Sequence, residues 1–148
     1  MSTISEHEAL GALIGQVNRL WRRSIDESLS QLGLTEATWR PLIYISRAIQ
    51  PLSQNALAEH LSLDRSSIVR LLDTLEASGF VVRRKDPSDR RVKRLQLTSR
   101  GQEVAEQAES ASRQLHAKVF NAIPHDLIAT TQAGLLQIRR LLETSKEL

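Results

Sequence analysis

A strongly charged segment, residues 83–98, constrains this chain more than any other feature. It places seven arginine and lysine side chains around a turn at 86–89, between apolar stretches at 80–82 and 95–97 that are typical of short strands. Charged side chains are almost never fully buried unless they are paired, so this predicted hairpin must lie at the surface. Seven cations against two acids leave it at +5, whereas the whole chain carries only +3. The concentrated positive charge indicates a polyanionic partner.

The composition excludes several classes of function. With 41% hydrophobic and 25% charged residues, the 148-residue chain is typical of a globular protein with one core. Only 3% is aromatic, which argues against an extended platform for stacking single-stranded bases. The absence of cysteine excludes disulfides, thiol redox chemistry and thiolate metal sites.

Sites for catalysis, metals and membranes are also missing from the sequence. The four histidines are not spaced as helical metal ligands, and neither a glycine-rich phosphate loop nor a nucleophile elbow occurs. We therefore expect no enzyme activity, no metal and no cofactor. No apolar run approaches 18 residues and no secretory signal pattern occurs at the N-terminus. The chain is predicted to be cytoplasmic, without membrane contact.

Hydrophobic periodicity predicts helices on both sides of the hairpin. Apolar residues recur at three-four spacing over 8–32, and Gly33 is suited to end that helix. Thr35 can cap a second helix reaching about Ala48, in which Pro41 predicts a late start or a local kink. The hairpin is followed by a long helix capped by Thr98, a break at Pro124 and a last helix.

A helix-turn-helix precedes the hairpin. Ser53 can cap a short helix, 54–61, and after a three-residue turn Asp64 can cap a second helix that ends at Gly79. The predicted fold is therefore mainly α with a small β-hairpin wing: a winged helix-turn-helix framed by N- and C-terminal dimerisation helices. Residues 35–98 form the predicted DNA-binding lobe, and residues 1–34 and 99–148 the dimerisation helices. The apolar side chains of 10–32 and 127–142 exceed what a lobe of about 65 residues can cover, which favours a dimer.

The second helix of this motif has the layout of a recognition helix. At about 100° per residue, Ile68, Leu72 and Leu75 share an apolar back. The opposite side carries short polar residues and arginine, which suit a major groove about 12 Å wide. The predicted contacts on this helix are Arg65, Ser66, Ser67 and Arg70.

The hairpin divides into a tip and two arms. Arg90 and Arg91 follow the turn, so a thin arm with arginine at its end could enter a narrow A·T-rich minor groove. Asp89 is unsuited to contact phosphate, and we expect it to pair with a neighbouring arginine and hold that side chain extended. The predicted phosphate contacts along the arms are Arg83, Arg84, Lys93 and Arg94.

These segments resemble the MarR family of bacterial transcriptional regulators. The resemblance rests on 57–61, 64–76 and 79–84 for the helix-turn-helix and on 86–101 for the wing. Segments 34–39 and 67–70 are most similar to the SlyA-type branch. The resemblance implies a homodimer whose terminal helices intertwine on a pseudo-palindromic DNA operator, acting as a repressor or counter-silencer. It also implies that Arg91 enters the minor groove and Asp89 orients the wing, while Ser66, Ser67 and Arg70 lie at the major groove.

Two questions stay open in the sequence. Many members of the family bind small aromatic carboxylates between the lobe and the dimerisation helices. Here the candidates to line such a cleft are Arg19, Trp21, Trp39 and Ile43, although both tryptophans could instead be core packing. The alternative function is a winged-helix module that uses its basic hairpin to bind an acidic protein partner.

Overall fold

The computed structural model describes residues 5–145 of the chain. Within those residues, the order of elements is the one that the sequence predicts, with six helices and one two-stranded hairpin between the fourth and fifth helices. This order confirms the winged helix-turn-helix fold. In chain order the elements are α1 (Glu6–Ser30), α2 (Glu36–Arg47), α3 (Gln54–Leu61), α4 (Arg65–Ala77), β1 (Val81–Lys85), β2 (Lys93–Leu97), α5 (Ser99–Phe120) and α6 (His125–Thr144).

The chain divides into two compact units. The first ends at Ser112 and contains α1 to α4, the hairpin and the larger part of α5, whereas the second begins at Arg113 and contains the end of α5 and α6. The sequence predicts a different division, into a DNA-binding lobe (35–98) and dimerisation helices (1–34 and 99–148). Because dimerisation involves a second chain, that division stays a prediction. Its outermost residues, 1–4 and 146–148, lie outside the described residues. Within 5–145, no helix is long and apolar enough to cross a bilayer.

The core of the first unit is built from α1, α2, the helix-turn-helix, the hairpin and the first part of α5. Burying each large aliphatic side chain stabilises the fold by about 1.5–3 kcal/mol before entropy is counted. The most completely buried side chains are Leu29, Pro41, Leu42, Leu57, Ile68, Leu72, Leu75, Val81 and Leu95. The periodicity of α4 therefore did identify its buried side.

Capping residues define the ends of the short helices. Ser53 and Asp64 accept from the backbone N–H groups of Ala56 (3.1 Å) and Ser67 (2.7 Å), as predicted for the starts of α3 and α4. Thr35 makes no such bond, and α2 nevertheless begins at Glu36. The expected late start of α2 is therefore wrong. The helix continues through Pro41 because that side chain is fully buried, and core packing outweighs the one backbone bond that proline removes.

Three helices end on residues with left-handed backbone. Gly33 (φ 73°) follows α1, Ser62 (φ 54°) follows α3 and Gly79 (φ 78°) follows α4. In each case the next residue donates its N–H to a carbonyl five residues back, which is the bond of a Schellman motif. Glycine adopts this backbone without steric cost, whereas Ser62 has a Cβ that approaches its own carbonyl.

The hairpin is antiparallel and in register from Val81↔Leu97 to Lys85↔Lys93. The segment before α3 extends it, since Leu95 donates its N–H to the Leu52 carbonyl (2.9 Å). At the other end Gly101 lies against the Phe80 backbone, where a built Cβ would come within 2.0 Å of the Phe80 carbonyl oxygen. Only glycine fits there, so α5 starts directly against β1.

Apolar side chains remain exposed in both units. On α1, Leu10, Leu13, Val17 and Leu20 keep 45–55% of their surface exposed. In the second unit, α6 has no buried residue. An apolar groove of about 630 Å³ there is lined by Phe120, Ile123, Leu127, Ile128, Thr131, Gln132, Leu135, Leu136 and Arg139. Single exposed apolar residues are ordinary, but contiguous sets of this size are typical of interaction surfaces.

Replacing Ser62 by glycine should stabilise the fold. Glycine removes the steric cost of the left-handed backbone, so we expect a gain of about 1 kcal/mol in the free energy of unfolding, measured by urea titration. Ser78, at the end of α4, has right-handed backbone (φ −79°), and Ser78→Gly is the matched control. That control should lose about 0.5–1 kcal/mol. A loss at both positions would contradict the strain assigned to Ser62.

Candidate nucleic-acid interface

Helix α4 presents a polar face to solvent because its opposite face is anchored in the core. Ile68, Leu72 and Leu75 are buried, while Ser66 and Arg70 are exposed. Asp64 holds the first turn through Ser67, and the same hydrogen bonds keep the pKa of the Asp64 carboxyl below its ordinary value. The exposed face therefore has a defined start and orientation.

The four residues predicted on α4 are placed differently. Arg65 and Arg70 are exposed, and neither side chain has a hydrogen-bond or ion-pair partner among residues 5–145. Ser66 donates its hydroxyl proton to Asp64 Oδ1 (2.9 Å), so only its lone pairs are free to accept. Ser67 is half-buried and lines a separate cavity of about 400 Å³ between α2 and α4.

A polar cleft of about 530 Å³ separates α4 from the hairpin, which we call the wing (residues 81–97). It is lined by Ser53, Gln54, Asn55, Ala58, Arg65, Ile68, Val69, Arg83, Arg91, Val92 and Lys93. Four of these residues are cationic and none is acidic. We call it the wing cleft, and it brings Arg65 of the helix together with Arg91 and Lys93 of the wing.

Arg83 is held by acids of α4. Its Nε and Nη2 donate to Glu76 Oε2 at 2.8 and 2.7 Å, and Nη2 also contacts Asp73 Oδ1. The hydrogen bonds from Arg83 keep the pKa of Glu76 below its ordinary value. Only 16% of the Arg83 side chain is exposed. The guanidinium predicted to contact phosphate is thus paired with carboxylates, and it ties β1 to α4.

Arg94 is also paired inside the protein. Its Nε donates to Asp86 Oδ2 (2.6 Å) and its Nη1 to the Pro51 carbonyl (3.2 Å). Across the wing, Arg84 donates from Nε to the Gln96 side chain (3.3 Å), which leaves its charge uncompensated. The four arm cations were all predicted to contact phosphate, but the structure divides them into two pairs. Arg83 and Arg94 are largely neutralised, whereas Arg84 and Lys93 are exposed and carry free charge.

The wing tip differs from the sequence expectation for Asp89. The Asp89 carboxylate accepts from the backbone N–H of Arg91 (3.0 Å) and forms no ion pair within 4.0 Å anywhere in the described part of the chain. The expected pairing with an arginine side chain is wrong, because the carboxylate is two residues from an unsatisfied N–H and closes an Asx turn instead. Arg90 and Arg91 are exposed, and their guanidinium groups have no hydrogen-bond or ion-pair partner among the described residues.

The four residues predicted to line an effector cleft do not form a common lining. Trp39 and Ile43 are 3% and 6% exposed and belong to the core, where Trp39 Nε1 donates to Asp26 Oδ1 (3.1 Å). Trp21 is half-buried and Arg19 is exposed. The core-packing alternative therefore holds for Trp39, and only Arg19 and Trp21 present surface to a ligand.

Sequence reasoning missed the acids that organise the site. No role was predicted for Asp73 or Glu76, and Asp86 was predicted only as part of the turn at 86–89. The polar side chains of Gln54 and Asn55 at the start of α3 also line the wing cleft, and no role was predicted for them either. The pairing of Arg83 and Arg94 with these acids depends on tertiary register, which the sequence alone does not show. Among residues 5–145, no group of three or more His, Asp or Glu residues could hold a metal ion.

Comparisons with known proteins agree with this geometry. The model of the MarR family matches residues 32–92. The structure is similar to that of the transcriptional regulator PA3341 (32% identity, 91% of this chain and 98% of that one, TM-score 0.84). It is also similar to mutant MarR from E. coli complexed with operator DNA (30%, 93% and 99%, TM-score 0.77). A third similar structure is CouR from Rhodococcus jostii RHA1 bound to p-coumaroyl-CoA (28%, 92% and 95%, TM-score 0.76).

The contribution of the Asp64 cap to the stability of the fold should decrease at acidic pH. Because its pKa is lower in the folded chain, Asp64 stabilises fully above the unfolded value of about 3.9 and progressively less as the pH falls below it. Asp64→Ala should therefore have a lower urea midpoint than wild type at pH 7, and the difference between the two midpoints should be smaller near pH 3. Ser53→Ala removes an uncharged cap, so its midpoint should lie below that of wild type by the same amount at both pH values. If the midpoint difference for Asp64→Ala did not change with pH, the role assigned to its charge would be wrong.

Proposed function

The chain belongs to the MarR family of transcriptional regulators, and from this we propose that it is a homodimeric repressor that binds a pseudo-palindromic DNA operator in the cytoplasm. The recognition helix α4 would lie in the major groove and the wing in the adjacent minor groove. Assignment to the SlyA-type branch is part of the same proposal and rests on residues 34–39 and 67–70 of the sequence.

One observation carries the proposal. The wing cleft joins the start of α4 to the wing tip, and it is lined by Arg65, Arg91 and Lys93 without any acid. These three cations have no carboxylate partner within the described residues, whereas Arg83 and Arg94 do. Uncompensated cations on a surface between a helix and a thin arm fit the spacing of phosphates that flank two neighbouring grooves.

Each predicted contact then takes a specific part. Arg70, on the exposed face of α4, is suited to a bidentate bond with guanine, and Ser66 can accept from a base or a water. Arg90 and Arg91 lie at the tip, next to the minor groove. Arg84 and Lys93 would contact phosphates. We assign Arg83, Asp89 and Arg94 to holding the wing rather than to contacting DNA, and Ser67 to the edge of the helix.

The exposed apolar surfaces support the dimer. Four half-exposed side chains of α1 and the apolar groove of the second unit are each described within a single chain, so both are available to a second copy. Two copies would present two recognition helices to two half-sites of a palindrome. Two-fold symmetric pairing is the commonest assembly of soluble oligomers.

A small aromatic carboxylate is the effector that we propose. Arg19 could pair with its carboxylate and Trp21 could contact the ring, since Trp39 and Ile43 are already buried. The similarity to CouR, whose structure contains p-coumaroyl-CoA, agrees with ligand binding of this general kind. Such a ligand would shift the dimer away from DNA only by its differential affinity for the two spacings of the recognition helices.

Selection of bound duplexes from a random pool tests the proposed function. We expect a palindrome with half-sites about one helical turn apart, and a sedimenting mass of twice the 16.6 kDa of one chain. If the cations of α4 and the wing that have no carboxylate partner neutralise about four to six phosphates per subunit, log K should fall against log salt with a slope of about −7 to −11. Equal affinity for selected and random duplexes would refute the specific regulator and favour a module that binds an acidic protein.

Arg91→Ala should weaken operator binding without unfolding the chain. The side chain is exposed and has no hydrogen-bond or ion-pair partner among the described residues, so the unfolding temperature should not change. We expect a loss of about 1–3 kcal/mol in binding, measured by fluorescence anisotropy and largest for duplexes with an A·T-rich minor groove. Arg113→Ala removes the same charge outside the lobe and should leave the affinity unchanged. The same loss for both variants would reduce Arg91 to a contributor of net charge.

A further inference from the structure

Asp86 is the most heavily bonded side chain of the wing. It directly follows β1 and is only 7% exposed, although it lies in a surface hairpin. Its Oδ1 accepts from the backbone N–H of Ser88 (2.7 Å), the Ser88 hydroxyl (2.5 Å) and the backbone N–H of Asp89 (3.2 Å). Its Oδ2 accepts from Arg94 Nε (2.6 Å). Both carboxylate oxygens are therefore used within the protein.

The bonds of Asp86 join the turn to the body of the lobe. Arg94, its ion-pair partner, donates onward to the Pro51 carbonyl in the segment that precedes α3. The Asp86 N–H donates to the Val92 carbonyl (2.9 Å), and Val92 donates back to the Asp89 carbonyl (2.9 Å). The backbone on both sides of Arg90 and Arg91 is thus held by bonds to Asp86, together with the one bond from Val92 to Asp89.

The carboxylate of Asp89 accepts fewer hydrogen bonds than that of Asp86. Asp89 is exposed, and its carboxylate accepts one hydrogen bond, from the Arg91 N–H. An asparagine at 89 could accept that bond equally well through its side-chain carbonyl. At position 86, an asparagine could likewise keep the bonds from Ser88 and Asp89 through its side-chain carbonyl, so the test at this position removes both oxygens with alanine.

We propose that Asp86 is the positioning residue of the wing, which sets the direction in which Arg90 and Arg91 project. The inference rests on the proposed binding of DNA by the wing tip, and Asp86 itself is too buried to contact DNA. Without its carboxylate, two backbone N–H groups and a guanidinium lose their acceptor, and the tip becomes an ensemble of conformations. Ordering that ensemble on DNA costs affinity.

The electrostatics of the group agree with this role. Hydrogen bonds from Ser88 and Arg94 lower the pKa of Asp86 far below its ordinary value. The carboxylate is therefore ionised at every pH at which DNA binding is measured, and the turn keeps its acceptor throughout.

Asp86→Ala and Asp89→Asn form a charge-matched pair that tests the proposal in the full-length chain. Both remove one negative charge from the wing, so bulk electrostatics alone would strengthen DNA binding to the same degree in both. We expect instead that Asp86→Ala binds the selected duplex about tenfold more weakly than Asp89→Asn, the cost of ordering one or two side chains. Thermal unfolding of both variants checks that the core is intact.

A second measurement needs no DNA. In the free protein, the amide hydrogens of Ser88 and Asp89 should exchange faster in Asp86→Ala than in wild type. The Ser88 amide should keep the wild-type rate in Asp89→Asn, and amides of α4 should be unaffected in both variants. Unchanged exchange at Ser88 and Asp89 in Asp86→Ala would overturn the proposal, as would equal operator affinities of the two variants. If wild type shows no preference for any duplex, the proposed function fails, and exchange alone then decides whether Asp86 orders the tip.

Discussion

The pairing of Arg83 with Asp73 and Glu76 is the interaction on which the site depends. It joins the first strand of the wing to the exposed side of α4, the helix that would read DNA. An arginine shared by two carboxylates is geometrically demanding, since its donors lie in one plane. The wing and the recognition helix are therefore positioned relative to each other by this ion pair as well as by the hydrophobic core that they share.

The ion pairs divide the cations of the wing into a paired set and an unpaired set. In the sequence, a segment with seven cations has the composition of one basic patch, but in the structure Asp73, Glu76 and Asp86 neutralise Arg83 and Arg94. The uncompensated cations that remain lie at the tip, along the outer arms and beside the start of α4. Charge that is paired sets the shape of the wing, and charge that is unpaired is available to phosphate. This separation explains how so cationic a segment can have one defined conformation.

Much of the fold could be predicted from local signals. Ser53, Asp64 and Thr98 could be predicted as caps because the side-chain oxygen of each reaches the N–H three residues further along the chain, and this spacing can be seen in the sequence. The buried side of α4 followed from its period for the same reason. Pro41 was misjudged because burial of its side chain compensates for the lost backbone bond, and burial is not a local property.

The sequence by itself determined the order of elements, the helix ends, the buried face of α4 and the excess of positive charge in the wing. All of these depend on neighbours within about one helical turn. Only the tertiary structure decided which cations are paired, that Asp89 closes a turn rather than holding an arginine, and that Trp39 and Ile43 are core. The physical reason is distance along the chain: Arg83 meets acids seven and ten residues away, and Arg94 reaches a carbonyl 43 residues away. Such contacts form only after helices and strands have packed.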